Sequence, residues 1–432
     1  MIDGLDETAI GAIGCAALVV FVLMGVRIAF AAALCGTLGL VALLGWGAGL
    51  KIVGTIPHSS SVNYALSVLP MFILIGYLAY HAGITQSAFE AARRWVGWLP
   101  GGLAIATVYA VAAFSAVSGA STAAAAVFAK VAIPEMLRAK YEKKLAAGVV
   151  AAGSTLDSLI PPSTLLVVYG ILTEVSIGKL LLAGFIPGLF SAFVYTAIIL
   201  LRCSLNPDLG RPIKGYTWPE RFRSLPGTMP ILFVIGIILF STLSGWATPT
   251  EAGGLGAFVI LVVALVNRMR GRELYEALLD TAKLSAMVFT VIWGMLIFVR
   301  FLAFSHLPQE LSAAVVGLNL QPLVILLAVY LIYLLLGTVL EGIGMFVLTL
   351  PVIFPIVMAL GYDPVWFGII LVKLSGIASL SPPVGLIVYV VNGVRPDISI
   401  RDIFSGIWPF IFADLVTIAV LTAFPQIVTF VL

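Results

Sequence analysis

Asp157 and Glu341 are the two acids set most clearly inside long apolar stretches, one in each half of the chain. Each stands among small and hydroxyl-bearing residues: Gly153, Ser154, Thr155 and Ser158 beside the first, Gly337, Thr338 and Gly342 beside the second. Carboxylates, hydroxyls and freed main-chain carbonyls are hard oxygen donors, suited to a small hard cation such as sodium. A charge at membrane depth costs at least ~2.5–3.5 kcal/mol on insertion scales, so each acid should face a cavity or a partner. Two roles stay open: a cation ligand or proton-coupled carboxylate, or a structural acid kept protonated or hydrogen-bonded. Lys373 lies mid-stretch with no charged residue on the neighbouring turns. Pairing across helices, contact with an anionic substrate, or snorkelling would each accommodate it. His58, His81 and His306 are scattered near segment ends and form no metal cluster, and Arg300 sits where an interface anchor belongs.

A duplication must position these groups. Asp157-Ser158-Leu159-Ile160-Pro161-Pro162-Ser163-Thr164-Leu165 returns 221 positions later as Ala378-Ser379-Leu380-Ser381-Pro382-Pro383-Val384-Gly385-Leu386. At the same offset Pro134 meets Pro355, Tyr141 meets Tyr362 and Ser154 meets Ser375. Proline removes a backbone donor and breaks a helix. Matched interruptions in the two halves of an apolar chain point to the substrate and ion sites of a secondary transporter. Two short apolar pairs turn on small residues, at Ser115 to Thr122 and at Gly337 to Gly344, and each tip should face a helix break. The first cation site is then expected from Ser118, Gly119, Ser121 and Thr122 with Gly153, Ser154, Thr155 and Asp157. The second is expected from Gly337, Thr338, Glu341 and Gly342 with Ser375, Gly376 and Ser379 on unwound main chain. Ser158, Pro161, Pro162, Ser163, Ser381, Pro382, Pro383, Gly385 and Lys373 are the substrate-site candidates. Half-helix N-termini there would aim positive dipole ends at an anion.

The chain around these motifs is 61% hydrophobic and only 10% charged over 432 residues, far from the ~25% charged of soluble domains. Successive segments near the ~20-residue spanning length predict an all-α polytopic membrane protein. About 10 transmembrane helices are expected, at 10–26, 28–50, 65–82, 180–201, 229–245, 251–266, 284–304 and 405–431 plus two broken helices, 145–173 and 365–394. Two re-entrant hairpins, 103–137 and 322–360, complete the set. With the N-terminus outside, every basic residue except Lys51, Lys130, Lys179, Arg300 and Lys373 falls on the inner side, as the positive-inside rule asks. The halves 1–225 and 226–432 then run in opposite directions, an inverted-topology repeat. Ile84 to Pro100, Ser305 to Leu318 and Arg272 to Lys283 read as interfacial segments. A small net charge of +3 without a basic patch excludes a nucleic-acid partner, and the partner of the apolar surface is the lipid bilayer. Three scattered cysteines make no disulfide framework, and no P-loop pattern occurs. The acidic Asp3, Asp6 and Glu7 argue against a cleavable signal peptide.

At its motifs the sequence resembles the large membrane subunit of tripartite ATP-independent periplasmic (TRAP) transporters. The resemblance rests on Gly119-Ala120-Ser121-Thr122, Ile160-Pro161-Pro162-Ser163, Pro249-Thr250-Glu251-Ala252, Arg300-Phe301-Leu302, Trp366-Phe367-Gly368 and Pro382-Pro383-Val384-Gly385. It covers essentially the whole chain. It implies a non-enzymatic, sodium-coupled importer of a small organic acid with an elevator architecture, in a bacterial inner membrane. It also implies two partners, a periplasmic substrate-binding protein and a small membrane subunit of a separate chain, with sodium as coupling ion and no other cofactor. Family members often carry glycine at the position of Asp157, and commonly a polar or acidic residue and a glycine at those of Gly376 and Ala378, so the side-chain ligands of the second cation site and the substrate's contacts stay open. A stand-alone ion-coupled carboxylate carrier is the competing reading. An intramembrane enzyme is disfavoured, because no His/Asp or Ser/Lys constellation converges at one depth.

Overall fold

The computed structural model describes residues 6–62, 64–118, 121–213 and 215–432, and among them there are helices and turns but no strand. The first half opens with α1 (Glu7–Leu23) and α2 (Ile28–Ser61), then α3 (Val68–His81) and α4 (Ile84–Val96). The hairpin helices α5 (Gly102–Ser118) and α6 (Ser121–Arg138) follow. Next come the broken pair α7 (Lys143–Ser154) and α8 (Thr164–Thr173), and the long α9 (Ile177–Leu205). After α10 (Trp218–Ser224) the same order recurs: α11 (Met229–Ser244), α12 (Pro249–Val266), α13 (Gly271–Ser305), α14 (Leu307–Gly317), the hairpin α15 (Pro322–Leu336) and α16 (Gly342–Ala359). The broken pair α17 (Pro364–Leu380) and α18 (Leu386–Val394), then α19 (Ile400–Ala423), close the repeat, and a single turn α20 (Gln426–Thr429) ends the chain.

Six described helices are long and apolar enough to cross a membrane singly, or up to eight if each of two bent pairs counts as one span. Hairpin helix α16 is one of the six, whereas its partner α15 and the half-helices α8 and α17 are apolar but shorter, as turning back or breaking within a bilayer requires. Local signals set the ends. Thr248 and Glu251 form a capping box on α12, Asp363 accepts from the Trp366 amide to start α17, and Gly245 in the left-handed region stops α11.

Three expectations need correction. Helix α2 does not stop near residue 50; it continues to Ser61 across a kink at Gly45, whose φ of 80° suits a residue without a Cβ. Arg272 to Lys283 is no separate interfacial segment but the first turns of the 35-residue α13. An Arg272–Glu276 pair one turn apart supports that polar end. The last span ends at Ala423, just before Pro425, rather than at 431.

Small residues bring the helices around the site into contact. Gly148 of α7 meets Gly406 of α19 backbone to backbone, and Gly294 of α13 meets the main chain of Ala29 on α2. Such close crossings are how helices associate in lipid, where burial of apolar surface supplies little drive. Tyr169 of α8 donates to the Pro364 carbonyl at 2.7 Å, and Trp366 of α17 donates to the Leu421 carbonyl at 2.8 Å. The first bond ties the broken helices of the two halves together, and the second holds α17 to α19.

Candidate functional site

Both double prolines interrupt their helices, but not in the same way. In the first half α7 ends at Ser154, one 3₁₀ turn covers Thr155–Ser158, and α8 resumes at Thr164 with Ser163 as its cap. In the second half α17 stays helical through Ser375, Gly376, Ala378 and Ser379 up to Leu380. The expectation of unwound main chain at Ser375–Ser379 is therefore wrong; unwinding is confined to Ser381–Gly385. Gly385, with φ of +62°, makes the left-handed turn into α18, and a Cβ there would also crowd the Leu380 carbonyl.

The two breaks and the two hairpin tips converge on one cavity of about 130 Å³. That is ample for ions and several waters, since one water needs only about 10–15 Å³ on such a measure. Ser121, Thr122, Asp157 and Ser158 line it from the first half, and Glu341, Gly342, Ser375, Gly376 and Ser379 from the second. Gly342 and Gly376 make this convergence possible. A Cβ on Gly376 would sit 3.3 Å from Thr155 Cβ, and one on Gly342 would sit 3.1 Å from the Leu165 side chain and 3.4 Å from Ser375 Oγ.

Asp157 is buried at the inner end, where Ser121 Oγ, on the first turn of α6, lies 2.8 Å from both carboxylate oxygens. Glu341 is exposed and stands at the N-cap of α16 without a side-chain hydrogen bond. The hydroxyls of Ser158, Ser375 and Ser379 each donate to a carbonyl three residues back, at 2.6, 2.8 and 2.7 Å. Donating inward leaves their oxygen lone pairs for a cation. Four helices also begin at this cavity: α6 at Ser121, α8 at Thr164, α16 at Gly342 and α18 at Leu386. Each N-terminus carries roughly half a positive charge, so a cavity holding two acids also presents four positive dipole ends. Among the described residues no Lys, Arg or His lines it.

The remaining candidates lie elsewhere. Gly119 and the side chain of Ser118 fall outside what the structure describes. Gly153, Ser154, Thr155, Gly337 and Thr338 do not line the cavity; Ser154, Thr155 and Thr338 spend their hydroxyls on their own helices. Pro161, Pro162 and Ser163 are buried behind it, whereas Pro382 and Pro383 are exposed and Ser381 half-buried beside it. Lys373 is not at the cavity. Its ammonium pairs with Asp414 of α19 at 2.5 Å, and Tyr195 of α9 donates to the other carboxylate oxygen at 2.8 Å. The ammonium also lies 5.4 Å from the Tyr195 ring centroid. All three are buried, so of the readings open to Lys373 pairing across helices holds, with its partner 41 positions away.

The cavity also has walls that the motif reading missed: Thr164, Leu165, Ile343, Leu386 and Ile387 beside the breaks and tips, and Leu284, Met287 and Val288 on α13. Leu165 and Leu386 are equivalent in the duplication, a signal that was present; the α13 residues look like any apolar helix face.

A family model, the DctM component of tripartite ATP-independent periplasmic transporters, matches residues 15–427. The sialic acid TRAP transporter large permease protein SiaM of Vibrio cholerae is 33% identical over 366 residues, 84% of this chain and 85% of that protein. The C4-dicarboxylate TRAP transporter large permease protein DctM of Pseudomonas aeruginosa is 33% identical over 372 residues, 85% of this chain and 86% of that protein. Among solved structures, the YdaH transporter of Alcanivorax borkumensis, described as having an unusual topology, superposes with a TM-score of 0.62. It covers 89% of this chain and 90% of that one at 16% identity, a likeness of fold alone.

Proposed function

This chain belongs to the DctM component family of tripartite ATP-independent periplasmic transporters, and from that premise we propose that it carries a small organic acid across a bacterial inner membrane together with sodium. The observation that carries the reading is the single cavity in which Asp157, Glu341 and three serine hydroxyls meet four helix N-termini. Acids and hydroxyls hold the cation, and the positive helix ends hold the carboxylate. Sodium placed between them lowers the repulsion between a substrate anion and the two protein carboxylates, which couples the two solutes. The two relatives are named for sialic acid and for C4-dicarboxylates, both carboxylates, which supports an organic acid here.

The halves 1–225 and 226–432 act as an inverted repeat in this proposal, with the N-terminus periplasmic. Hairpins and broken helices move as a carrier past a scaffold that includes α13, in an elevator motion. A periplasmic substrate-binding protein delivers the acid, and a small membrane subunit on a separate chain completes the assembly. The role is that of a carrier, not an enzyme.

Reconstitution into proteoliposomes tests this. Uptake of a radiolabelled carboxylate should require an inward sodium gradient, the small subunit and the binding protein. Uptake indifferent to sodium would overturn the coupling, and uptake by this chain alone would replace the tripartite reading with a stand-alone carrier.

A further inference from the structure

Resting on that reading, we propose that the acid carried is a monocarboxylate with a compact apolar body, and that Leu284, Met287 and Val288 of α13 recognise the body. The cavity is two-faced. Its hydroxyls, acids and helix N-termini all come from the hairpin tips and the helix breaks, whereas the α13 wall supplies three apolar side chains. Their spacing of three and four residues puts them on one stripe of the helix. The polar residues of the same turns, Thr281 and Ser285, are buried and do not line the cavity, and Thr281 donates to the Ala277 carbonyl at 2.7 Å.

One carboxylate is served at the polar face. The rest of the molecule then lies against the α13 wall. A second carboxylate, or a chain of hydroxyls, set against those three α13 side chains would exchange water for hydrocarbon that offers no donor, and burying such groups unpaired is costly. With no basic residue among the described lining residues, no side chain balances a second negative charge. Met287 and Leu386 are about half exposed.

The test uses the complex of the full-length chain with its small membrane subunit in lipid nanodiscs, with and without saturating sodium, reading thermal stabilisation by 3-methyl-2-oxobutanoate, succinate and gluconate. The branched monocarboxylate should act at concentrations at least about ten-fold below the other two, the order of discrimination that apolar pocket contacts provide. Met287→Arg should reverse the preference toward succinate, and Leu284→Gln, a smaller change, should narrow it. Succinate or gluconate acting as well as the monocarboxylate would overturn the inference while leaving a sodium-coupled acid carrier standing. No sodium-dependent response to any of the three would overturn both.

Discussion

The two helix breaks share a sequence and occupy opposite environments. Pro161 and Pro162 are buried where Gly184 and Gly188 of α9 let the chain pack against Leu159 and Ile160. Pro382 and Pro383, their duplicates, are exposed. The acids are exchanged as well. The first half places its carboxylate on the break, at Asp157, facing Ser121 on the tip; the second places it on the tip, at Glu341, with Ala378 at the position equivalent to Asp157. A duplicated motif thus supplies one deep acid and one shallow acid to a common cavity. A buried charge interacts more strongly with a bound cation than an exposed one, because the surrounding medium polarises less. The two halves are therefore equivalent in parts and unequal in work.

The same contrast holds behind the site. Helix α7 meets α19 through Gly148 and Gly406, whereas α17 meets it through the buried Lys373–Asp414 pair. The largest expected effect is here: Lys373→Met leaves an unpaired buried carboxylate and should cost about 3–5 kcal/mol. The double variant Lys373→Met with Asp414→Leu should recover most of that loss in a thermal unfolding assay. A double variant as unstable as the single one would show that the pair is not what joins these helices. Next in size, Pro161-Pro162→Ala-Ala should lower sodium-driven uptake more than about ten-fold by extending a helix through a packed site. The same change at Pro382-Pro383, on exposed chain, should do less; equal losses would erase the asymmetry.

Sodium titrations sharpen the acids. Asp157→Asn should raise the sodium concentration for half-maximal uptake by about ten-fold, and Glu341→Gln by about three-fold, following the difference in burial. The reverse order would place the main cation at Glu341. Smaller still, Gly406→Ala should destabilise by about 1–3 kcal/mol through overpacking against the α7 backbone, while Ala at Gly393, where no atom lies within 4 Å, should cost nothing measurable in the same unfolding assay.

Much of this site could be read before any coordinates. The double prolines located both breaks because proline cannot donate within a helix, and the acids stood out because charge is rare in so apolar a chain. Asp157, Glu341, Ser158 and Ser379 were found on that ground, and all four line the cavity. Ser375 to Ser379 seemed unwound because the first break suggested it, yet α17 keeps its hydrogen bonds to Leu380. Local sequence places a break within a few residues but does not say how far it spreads; packing decides that.

The amino-acid sequence alone determined that the chain is helical, that it resides in a membrane, and that its interruptions come in matched pairs. These follow from hydropathy, proline chemistry and repetition, all of them local properties. The tertiary structure decided that both tips and both breaks share one cavity, that α13 walls it with Leu284, Met287 and Val288, and that Lys373 belongs to Asp414. Those are distances between residues far apart in the chain. They depend on which small residues let helices cross closely, and no single segment carries that information.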